Sequence, residues 1–421
     1  MTEPHKLLHW LDAERESQLD FLQQFARVDT ANPPGDTRRA ADLFRAFLDR
    51  EGIAHRTEAP QAAHPNLIAT FAGGAGSGRH LVLNGHLDVF PVGDRVAWAR
   101  DPWSGEIADG RVHGRGTVDM KCGTTALLFV FAYLYRLRAG LPGRVTLTVV
   151  SDEETGGKWG TAWLIENCAR EVLGDCVLNT EPSGLATVRF GEKCMLWLRF
   201  HIAVKGGHSA YPHTGGSANK VAAALIHDLQ AIDAMVPDEP ATVRATLERP
   251  EVARAADLSL GAGAAQVMRR VSVNIGTMQG GVKINMLPAE CVLEVDFRLP
   301  VGISRAAVLA RVAAIVARHP GTSFEELLPG GPEATVSDPT HEMMGHLLRH
   351  AGSALAEPPQ PIISLGGTDT RFWRIKGVPA FVYGCSPAGM GAVDESVSIA
   401  EFHHVLRVHA LAAWDYLTAG R

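Results

Sequence analysis

Apolar positions in the first half of the chain follow two alternating patterns. Short runs rich in aliphatic residues predict strands, as in "NLIATFAG", "HLVLNGHLDVFP" and "RVTLTVVSD". Longer apolar stretches predict helices, as in "MKCGTTALLFVFAYLYRLRAG" and "GTAWLIENCAREVL". Strands that are separated by helices indicate an α/β fold, in which helices cover the faces of one sheet.

The order of predicted elements changes near residue 193. A strand, a helix, two strands, a helix and a final strand follow one another between "CMLWLRFHIAVKG" and "TSFEELLP". This β-α-β-β-α-β order is typical of a ferredoxin-like α+β sandwich. The sequence therefore predicts a discontinuous larger domain at 1–192 and 331–421, with a smaller domain inserted at 193–330.

Composition and charge narrow the class of protein. The 421 residues are 46% hydrophobic and 20% charged, which is typical of a soluble globular chain large enough for two cores. A net charge of −6 provides no basic stripe for nucleic acid, and no run approaches the ~18 apolar residues of a membrane helix. Six cysteines without a CxxC pair indicate reduced thiols, so we expect a cytoplasmic protein.

Acidic and imidazole side chains follow several predicted strands at the point where each strand ends. His86 and Asp88 lie two residues apart and so point the same way, residues 152–154 are all acidic, and Glu181 follows another strand. Asp119 precedes a hydrophobic helix. Each feature also has a structural interpretation by itself, because a His–Asp pair can be satisfied in a core and an aspartate can cap a helix.

Taken together, these groups are better explained by a metal than by structure alone. Neighbouring carboxylates at buried strand ends repel one another unless a cation lies among them. Mixed imidazole and carboxylate ligands suit zinc, and manganese or cobalt nearly as well. A second glutamate beside a ligating one suits a general base that deprotonates water. The sequence therefore predicts a metal-dependent hydrolase.

The motifs resemble those of the co-catalytic metallohydrolases, the family that includes acetylornithine deacetylase, succinyl-diaminopimelate desuccinylase, aminoacylase and glutamate carboxypeptidase. The resemblance covers nearly the whole chain and is carried by "GHLDVFP", "GRGTVDMK", "DEETGG" and "TEPSG". It implies a zinc-peptidase-like catalytic domain with a central mixed sheet and flanking helices. It also implies that the inserted ferredoxin-like domain is a lid through which two copies form a homodimer.

The resemblance assigns the metal ligands residue by residue. His86, Asp119 and Glu181 would hold a first divalent ion. Asp119 would also bridge to a second ion, which Glu154 would help to hold.

One ligand of the second ion is missing from the sequence. In relatives, a histidine stands four residues before the glutamate of a late "H-x-x-[ND]-E" segment. Gly391 occupies that position here, in "GAVDE", and glycine has no side chain to ligate with. We therefore expect one tightly bound zinc, manganese or cobalt ion, with any second ion weak and labile. A substitute ligand from elsewhere, such as His113 or His346, is the alternative.

The same resemblance assigns catalytic and substrate-binding roles. Glu153 would be the general base, and Asp88 would orient the ligating histidine. His208, in "GGHSAYPH", would reach an active site, often across the dimer, and polarise the scissile carbonyl. Asn285 would contact the substrate. Arg371, in "GGTDTRFW", would bind a substrate carboxylate through its guanidinium fork, or else form a buried structural ion pair.

Two other groups carry only structural interpretations. His403, His404 and His409 lie on a predicted C-terminal helix and are expected to face solvent. Cys122, which follows "DMK", is expected to be a small buried apolar residue without a nucleophilic role.

Three functions are compatible with these features. The first is hydrolysis of a C–N bond in a small carboxylate-bearing substrate, such as an N-acyl amino acid or a dipeptide. The second is deamination of an aromatic amine at a one-metal site, as in the branch that resembles 5-nitroanthranilate aminohydrolase. The third is a non-catalytic binding protein on the same scaffold, against which the intact general base Glu153 argues.

Overall fold

The computed structural model describes residues 2–419 and begins with the larger domain. The first helices are α1 (Glu3–Ala13), α2 (Arg15–Ala26), α3 (Arg38–Arg50), α4 (Cys122–Arg136), α5 (Thr161–Asn167) and α6 (Ala169–Val172). The first strands are β1 (His55–Gln61), β2 (His64–Ala72), β3 (His80–His86), β4 (Ile107–Ala108), β5 (Arg111–His113), β6 (Arg144–Val150), β7 (Cys176–Asn179) and β8 (Thr187–Glu192). The alternation of β3, α4, β6, α5 and β7 is the predicted α/β pattern.

The inserted domain follows directly after β8. Its strands are β9 (Cys194–Ala203), β10 (Gly207–His208), β11 (Ser272–Gly280), β12 (Met286–Leu287), β13 (Glu290–Leu299) and β14 (Thr322–Glu326). The helices of this segment are α7 (Ala218–Gln230), α8 (Ala241–Leu247), α9 (Pro250–Leu260), α10 (Ala264–Met268) and α11 (Arg305–Val316). The main sheet is antiparallel in the order β11-β13-β9-β14. This order, with α7 and α11 as the crossing helices, confirms the ferredoxin-like sandwich.

The chain then returns to the larger domain. The last strands are β15 (Thr335–Val336), β16 (Gln360–Ser364), β17 (Ala380–Val382) and β18 (Ser396–Ser398). The last helices are α12 (Glu342–Gly352), α13 (Thr370–Ile375) and α14 (Ile399–Thr418). The central sheet has the order β1-β2-β6-β3-β7-β17-β8-β15, with β16 also paired to β8. Because it contains parallel and antiparallel pairs, the predicted central mixed sheet is confirmed.

Three neighbouring parallel strands determine where a site can form. Strand β3 pairs in parallel with β6 on one side and with β7 on the other. The carboxyl ends of these strands therefore meet at one edge of the sheet, and ligands of open α/β sheets bind outside such ends.

Helix α4 forms the centre of the larger core. Each of its residues from Cys122 to Leu134 is buried, and it packs against the C-terminal helix α14. The stretch Thr117–Arg136 is long and apolar enough to cross a membrane, but 94% of it is buried inside the protein. Its hydrophobicity is that of a core helix. At its start, a Cβ on Gly123 would lie 2.5 Å from the Thr180 carbonyl, so glycine lets α4 approach the end of β7.

Helices α8–α10 form a helical insertion (241–268) that the sequence pattern does not reveal. It lies within the range predicted for the smaller domain, but its apolar residues Val243, Leu247, Val252 and Ala256 pack in the core of the larger domain. The reason is amphipathicity: short helices between α7 and β11 must bury one face, and the available surface lies beside β8 and β16.

The expectation that the C-terminal histidines face solvent is wrong for His409 and incomplete for His403 and His404, since His403 is half-buried with a buried Nε2 that has no hydrogen-bond partner. His409 is fully buried and its Nε2 donates to the Tyr383 carbonyl at 2.7 Å. His404 is half-buried, with its Nε2 2.8 Å from the Tyr383 hydroxyl. Helix α14 packs against α4 and α12 rather than on the outside of the domain, so more of its faces are covered than a surface helix would have.

Candidate metal centre

Polar side chains from three strand ends and one turn meet at the edge formed by β6, β3 and β7. His86 is the last residue of β3, Glu153 and Glu154 follow β6, and Glu181 follows β7. Asp119 comes from the turn that precedes α4. The topology, with β3 in the middle, therefore places the histidine between the acidic groups of its two neighbours.

His86, Asp119 and Glu181 form a tight cluster, which we call the first half-site. The His86 Nε2 lies 3.3 Å from Asp119 Oδ1 and 3.2 Å from Glu181 Oε1. Over residues 2–419, this is the one group of three His, Cys, Asp or Glu side chains whose ligand atoms all lie within 4.8 Å of one another. The buried Nε2 of His86 and Oδ1 of Asp119 have no hydrogen-bond partner. Unpaired buried donors and acceptors of this kind fit a divalent cation.

The pKa values of the cluster show the same need for a cation. Burial alone would lower the pKa of His86, but the carboxylates of Asp119 and Glu181 raise it well above its ordinary value. Burial, together with the charge of Asp119, raises the pKa of Glu181 to about 7. Positive charge is therefore favoured among these carboxylates, and a divalent ion would supply it.

The orientation of His86 comes from a backbone group and not from the expected carboxylate. Its Nδ1 donates to the Asp88 carbonyl at 2.8 Å, which leaves Nε2 to face the cluster. The Asp88 carboxylate lies 3.6 Å from Nδ1, too far for a hydrogen bond. It instead accepts from the backbone amides of Glu153 and Glu154 at 3.2 and 3.0 Å. The prediction that the Asp88 side chain orients the histidine is therefore wrong. This side chain instead fixes the turn that carries Glu153 and Glu154, which we call the acidic turn.

The acidic turn places Glu153 beside Arg371. Arg371 Nη1 lies 3.4 Å from Glu153 Oε1, and its other bonds go to the carbonyls of Thr368 and Gly156. Burial, with the nearby charges of Glu181 and Asp369, raises the pKa of Glu153 well above its ordinary value. A carboxylate with a raised pKa is suited to accept and return a proton near neutral pH. For Arg371, the structure therefore shows the ion pair that was the alternative to a substrate contact.

The second half-site consists of Glu154 and the open side of Asp119. Burial and the charge of Asp119 raise the pKa of Glu154 well above its ordinary value, and its buried Oε1 has no hydrogen-bond partner. Gly391 lies in an exposed turn with φ +70°, and a Cβ built on it would meet no atom within 4 Å. Nothing at this position replaces the missing histidine.

The loop around Gly391 is nevertheless held in place. Asp394 accepts from the Ala99 amide at 2.9 Å. Glu395 Oε2 accepts from Arg115 Nη1 at 2.6 Å, and its Oε1 accepts from the Val118 amide at 2.9 Å. Glu395 therefore anchors the loop to the turn that carries Asp119, and Asp394 anchors it to the segment at Ala99.

The suggested substitute ligands do not join the cluster. His113 lies on β5, and its buried Nε2 has no hydrogen-bond partner. His346 lies on α12, with its Nδ1 3.9 Å from Asp415. Neither belongs to the group of close ligand atoms around His86.

The lid residues lie together, on the surface of the inserted domain. His208 is exposed on β10, which pairs with β12 so that His208 stands opposite Met286. The amide of Ser209 donates to the backbone carbonyl of the exposed Asn285 at 3.1 Å. In the described chain, neither side chain hydrogen-bonds to the first half-site.

Two buried charged residues near the centre were missed from the sequence. Asp369 is 1% exposed, has no hydrogen-bond partner on either carboxylate oxygen, and has a pKa raised by burial to about 6. Arg189 lies on the fully buried strand β8 and lines a cleft together with Asp119 and Glu181. The signal was an arginine between the apolar residues Val188 and Phe190, in "TVRFGEKC".

The cleft in front of the first half-site has a volume of about 510 Å³. Besides Asp119, Glu181 and Arg189, it is lined by residues 258–260 of the helical insertion, by the loop 364–368 and by residues 386–390 before Gly391. The site therefore opens into a space of the size that small-molecule ligands occupy.

The chain is similar to known proteins over most of its length. Residues 82–415 match the family model described as peptidase family M20/M25/M40. A succinyl-diaminopimelate desuccinylase from Cereibacter sphaeroides is 30% identical over 386 residues, which cover 90% of this chain and 93% of that protein.

Solved structures of the family share the fold at low sequence identity. An M20 family metallo-carboxypeptidase from Sulfolobus solfataricus superposes with a TM-score of 0.78 at 17% identity, covering 95% of this chain and 99% of that one. A dinuclear metal-binding peptidase of the M20 family from Bacillus subtilis gives a TM-score of 0.65 at 16% identity, covering 96% and 99%.

Proposed function

Because the chain belongs to peptidase family M20/M25/M40 and is a metal-dependent hydrolase of carbon–nitrogen bonds, we propose that it cleaves the amide bond of a small carboxylate-bearing substrate at one tightly bound divalent ion. An N-acyl amino acid or a dipeptide is the substrate class. One observation carries the proposal: three ligand atoms converge at His86, Asp119 and Glu181, while the second half-site has a glycine in place of a ligand.

The residues of the first half-site would hold the ion, and Glu153 would move the proton. A divalent ion bound there would activate water and polarise the scissile carbonyl. Glu153 lies in a partly buried turn, which the Asp88 carboxylate fixes through two backbone amides. It would accept a proton from the attacking water and deliver it to the leaving nitrogen. Arg371 would keep the Glu153 carboxylate in position.

The desuccinylase relatives suggest one member of the substrate class. Their names describe removal of a succinyl group from succinyl-diaminopimelate, so we include an N-succinyl amino acid in the first set of compounds to be tested. Zinc, manganese and cobalt each match the donor set of one imidazole and two carboxylates.

The lid residues support a homodimer as part of the proposal. His208 and Asn285 are exposed and do not bond to the first half-site of their own chain. The nearby surface includes exposed Val282, Ile284 and Met286 beside the edge strand β11. A second copy docked on this surface would bury these side chains, and we propose that it would bring His208 toward the neighbouring cleft. The free cysteines fit the predicted cytoplasmic location.

A substrate screen on the metal-loaded protein tests the function. We expect amine release from N-acetyl amino acids, N-succinyl amino acids or dipeptides. We also expect Glu153→Gln to lower kcat by about 100- to 10,000-fold, because a general base contributes that much, while metal content is unchanged.

Other outcomes would select the other functions. Ammonia release from aryl amines without any amide cleavage would favour an aromatic aminohydrolase. Tight binding of the same compounds, with no turnover and with equal behaviour of Glu153→Gln, would favour a binding protein.

A further inference from the structure

Arg189 is a buried cation in the wall of the active-site cleft. It is 8% exposed and comes from β8, whose residues are all buried. Its Nη2 donates to the Pro182 carbonyl, and its buried Nε has no hydrogen-bond partner. The cleft it lines also contains Asp119 and Glu181. A guanidinium remains charged in proteins, so this positive charge must be balanced by nearby anions.

The balancing anions are the metal ligands themselves. The acidic groups that act on Arg189 are Glu181, Asp119 and Glu192. Glu192 is already paired with Arg374 at 3.1 Å and accepts from the Thr368 hydroxyl at 2.8 Å. The remaining two carboxylates belong to the first half-site, where a divalent ion would neutralise their charge. Once the ion is bound, Arg189 is left in a buried cleft without an anionic partner.

Arg371, the cation expected to bind substrate, is placed differently. Its Nη1 donates to the Thr368 carbonyl at 2.6 Å, and its Nη2 donates to the Gly156 carbonyl at 3.1 Å. It contacts the general base Glu153, and it is not among the described residues that line the cleft. Both of its terminal nitrogens bond to the protein, whereas Arg189 bonds through Nη2 and keeps a buried Nε without a partner.

We propose that Arg189 is the specificity-determining residue that binds a carboxylate of the substrate. This inference rests on the proposed amide hydrolysis and names the group that the cleft selects. The bond would form after metal loading, because the ion removes the competing charge of Asp119 and Glu181. Leu258, Leu260 and Met390 line the same cleft and provide apolar surface for the rest of the substrate.

The carboxylate that Arg189 binds can belong to the acyl part or to the amine part of the substrate. Two pairs of matched substrates distinguish these possibilities. N-acetyl-L-leucine and N-acetyl-L-leucinamide differ only in a carboxylate on the amine side. N-succinyl-L-leucinamide and N-butyryl-L-leucinamide differ only in a carboxylate on the acyl side. We expect the metal-loaded protein to favour the charged member of one pair by about 100-fold or more in kcat/KM, because a site built for a polar group rejects the analogue that lacks it.

Variants of Arg189 test whether the preference comes from this side chain. Arg189→Met should abolish it by raising KM for the charged substrate about 100-fold, with little change for the neutral one. Arg189→Lys should restore part of it, because it keeps the charge and loses the fork. Arg311→Met, at an exposed position of α11, is the matched control and should behave as the wild type. Metal content and thermal melting should match the wild type in all three variants.

Calorimetry on the Glu153→Gln protein gives a readout that does not depend on turnover. N-acetyl-L-leucine or N-succinyl-L-leucinamide should bind the metal-loaded form and bind at least about tenfold more weakly once Arg189→Met is added. Preserved binding and preserved charge preference in Arg189→Met, together with amide hydrolysis by the wild type, would overturn the role of Arg189 and leave the proposed function standing. Failure of the wild type to cleave either pair, together with failure to cleave any compound of the substrate screen, would overturn the proposed function instead.

Discussion

The two halves of the metal centre differ in how completely the chain supplies donors. The first half-site has three ligand atoms within 4.8 Å of one another, all from rigid strand ends or the turn before α4. The second half-site has Glu154 and the shared Asp119, and Gly391 where the resemblance to the family implies a histidine. Three protein ligands make a workable catalytic site, whereas two carboxylates hold a divalent ion weakly.

The loop around Gly391 can hold its position without the histidine that the resemblance implies there. Glu395 bonds to Arg115 and to the Val118 amide, so the loop holds the Asp119 turn without any help from a metal. A second ion is therefore not needed to keep this loop in place. With glycine at position 391 the second half-site has one donor fewer, but the bonds of Glu395 still hold the turn that carries Asp119.

Ligand removal should affect the two half-sites very unequally. We expect His86→Ala to lose the bound ion and to lower kcat/KM by about 1,000-fold or more, because it removes the only neutral ligand. The matched change in the other half, Glu154→Gln, should lower kcat/KM by less than about tenfold. Metal analysis and steady-state kinetics on both variants provide the check. Equal losses of metal and of kcat/KM in the two variants would contradict the expected difference between the half-sites.

Acid should weaken the scaffold through a group that lies outside both half-sites. Burial lowers the pKa of His409 to about 4, below its ordinary value of 6.5. The unfolded chain therefore binds this proton first, so the stabilising effect of neutral His409 is complete above pH 6.5 and is lost as the pH falls toward 4. The shift corresponds to about 3 kcal/mol.

Urea unfolding of the metal-free protein at pH 7 and pH 4.5 measures this effect. His409→Gln keeps a donor for the Tyr383 carbonyl and cannot titrate. Its free energy of unfolding should fall less between the two pH values than that of the wild type. Parallel losses in the two proteins would exclude His409 as the cause.

Restoring the missing donor at position 391 should strengthen metal binding at the second half-site. Gly391→His places an imidazole in open space beside the cleft, and we expect it to bind a second ion with Glu154 and Asp119. Its φ of +70° is unfavourable for any residue with a Cβ, so the substitution should also cost about 1 to 2 kcal/mol of stability. Gly391→Ala has the same strain without a donor and serves as the control. Equal metal content in the two variants would show that position 391 does not face the second half-site.

The convergence of His86, Asp119 and Glu181 was predictable because it depends on local periodicity and strand order. Alternation along β3 and the acidic runs after β6 and β7 are visible in the sequence, and parallel strands bring their ends together. Hydrogen-bond partners were not predictable in the same way. Whether the carboxylate or the carbonyl of Asp88 faces His86 depends on the approach of the Glu153 turn, which is a tertiary contact.

Other features depend on packing between distant segments. The helical insertion (241–268) has an amphipathic pattern, but nothing in that pattern tells which core it joins. Arg189 was visible as a charge in an apolar strand, and its place in the cleft follows only from the pairing of β8 with β16 and β17. His409 sits on a helix whose buried face becomes clear only when α4 and α12 are in place.

The metal stoichiometry of the wild-type protein tests the central claim most directly. After loading with excess zinc, manganese or cobalt and exhaustive dialysis, the ion retained per chain is measured by mass spectrometry of the digested protein. A single half-site with three donors predicts one retained ion per chain, lost in His86→Ala. Two ions retained per wild-type chain would contradict the account.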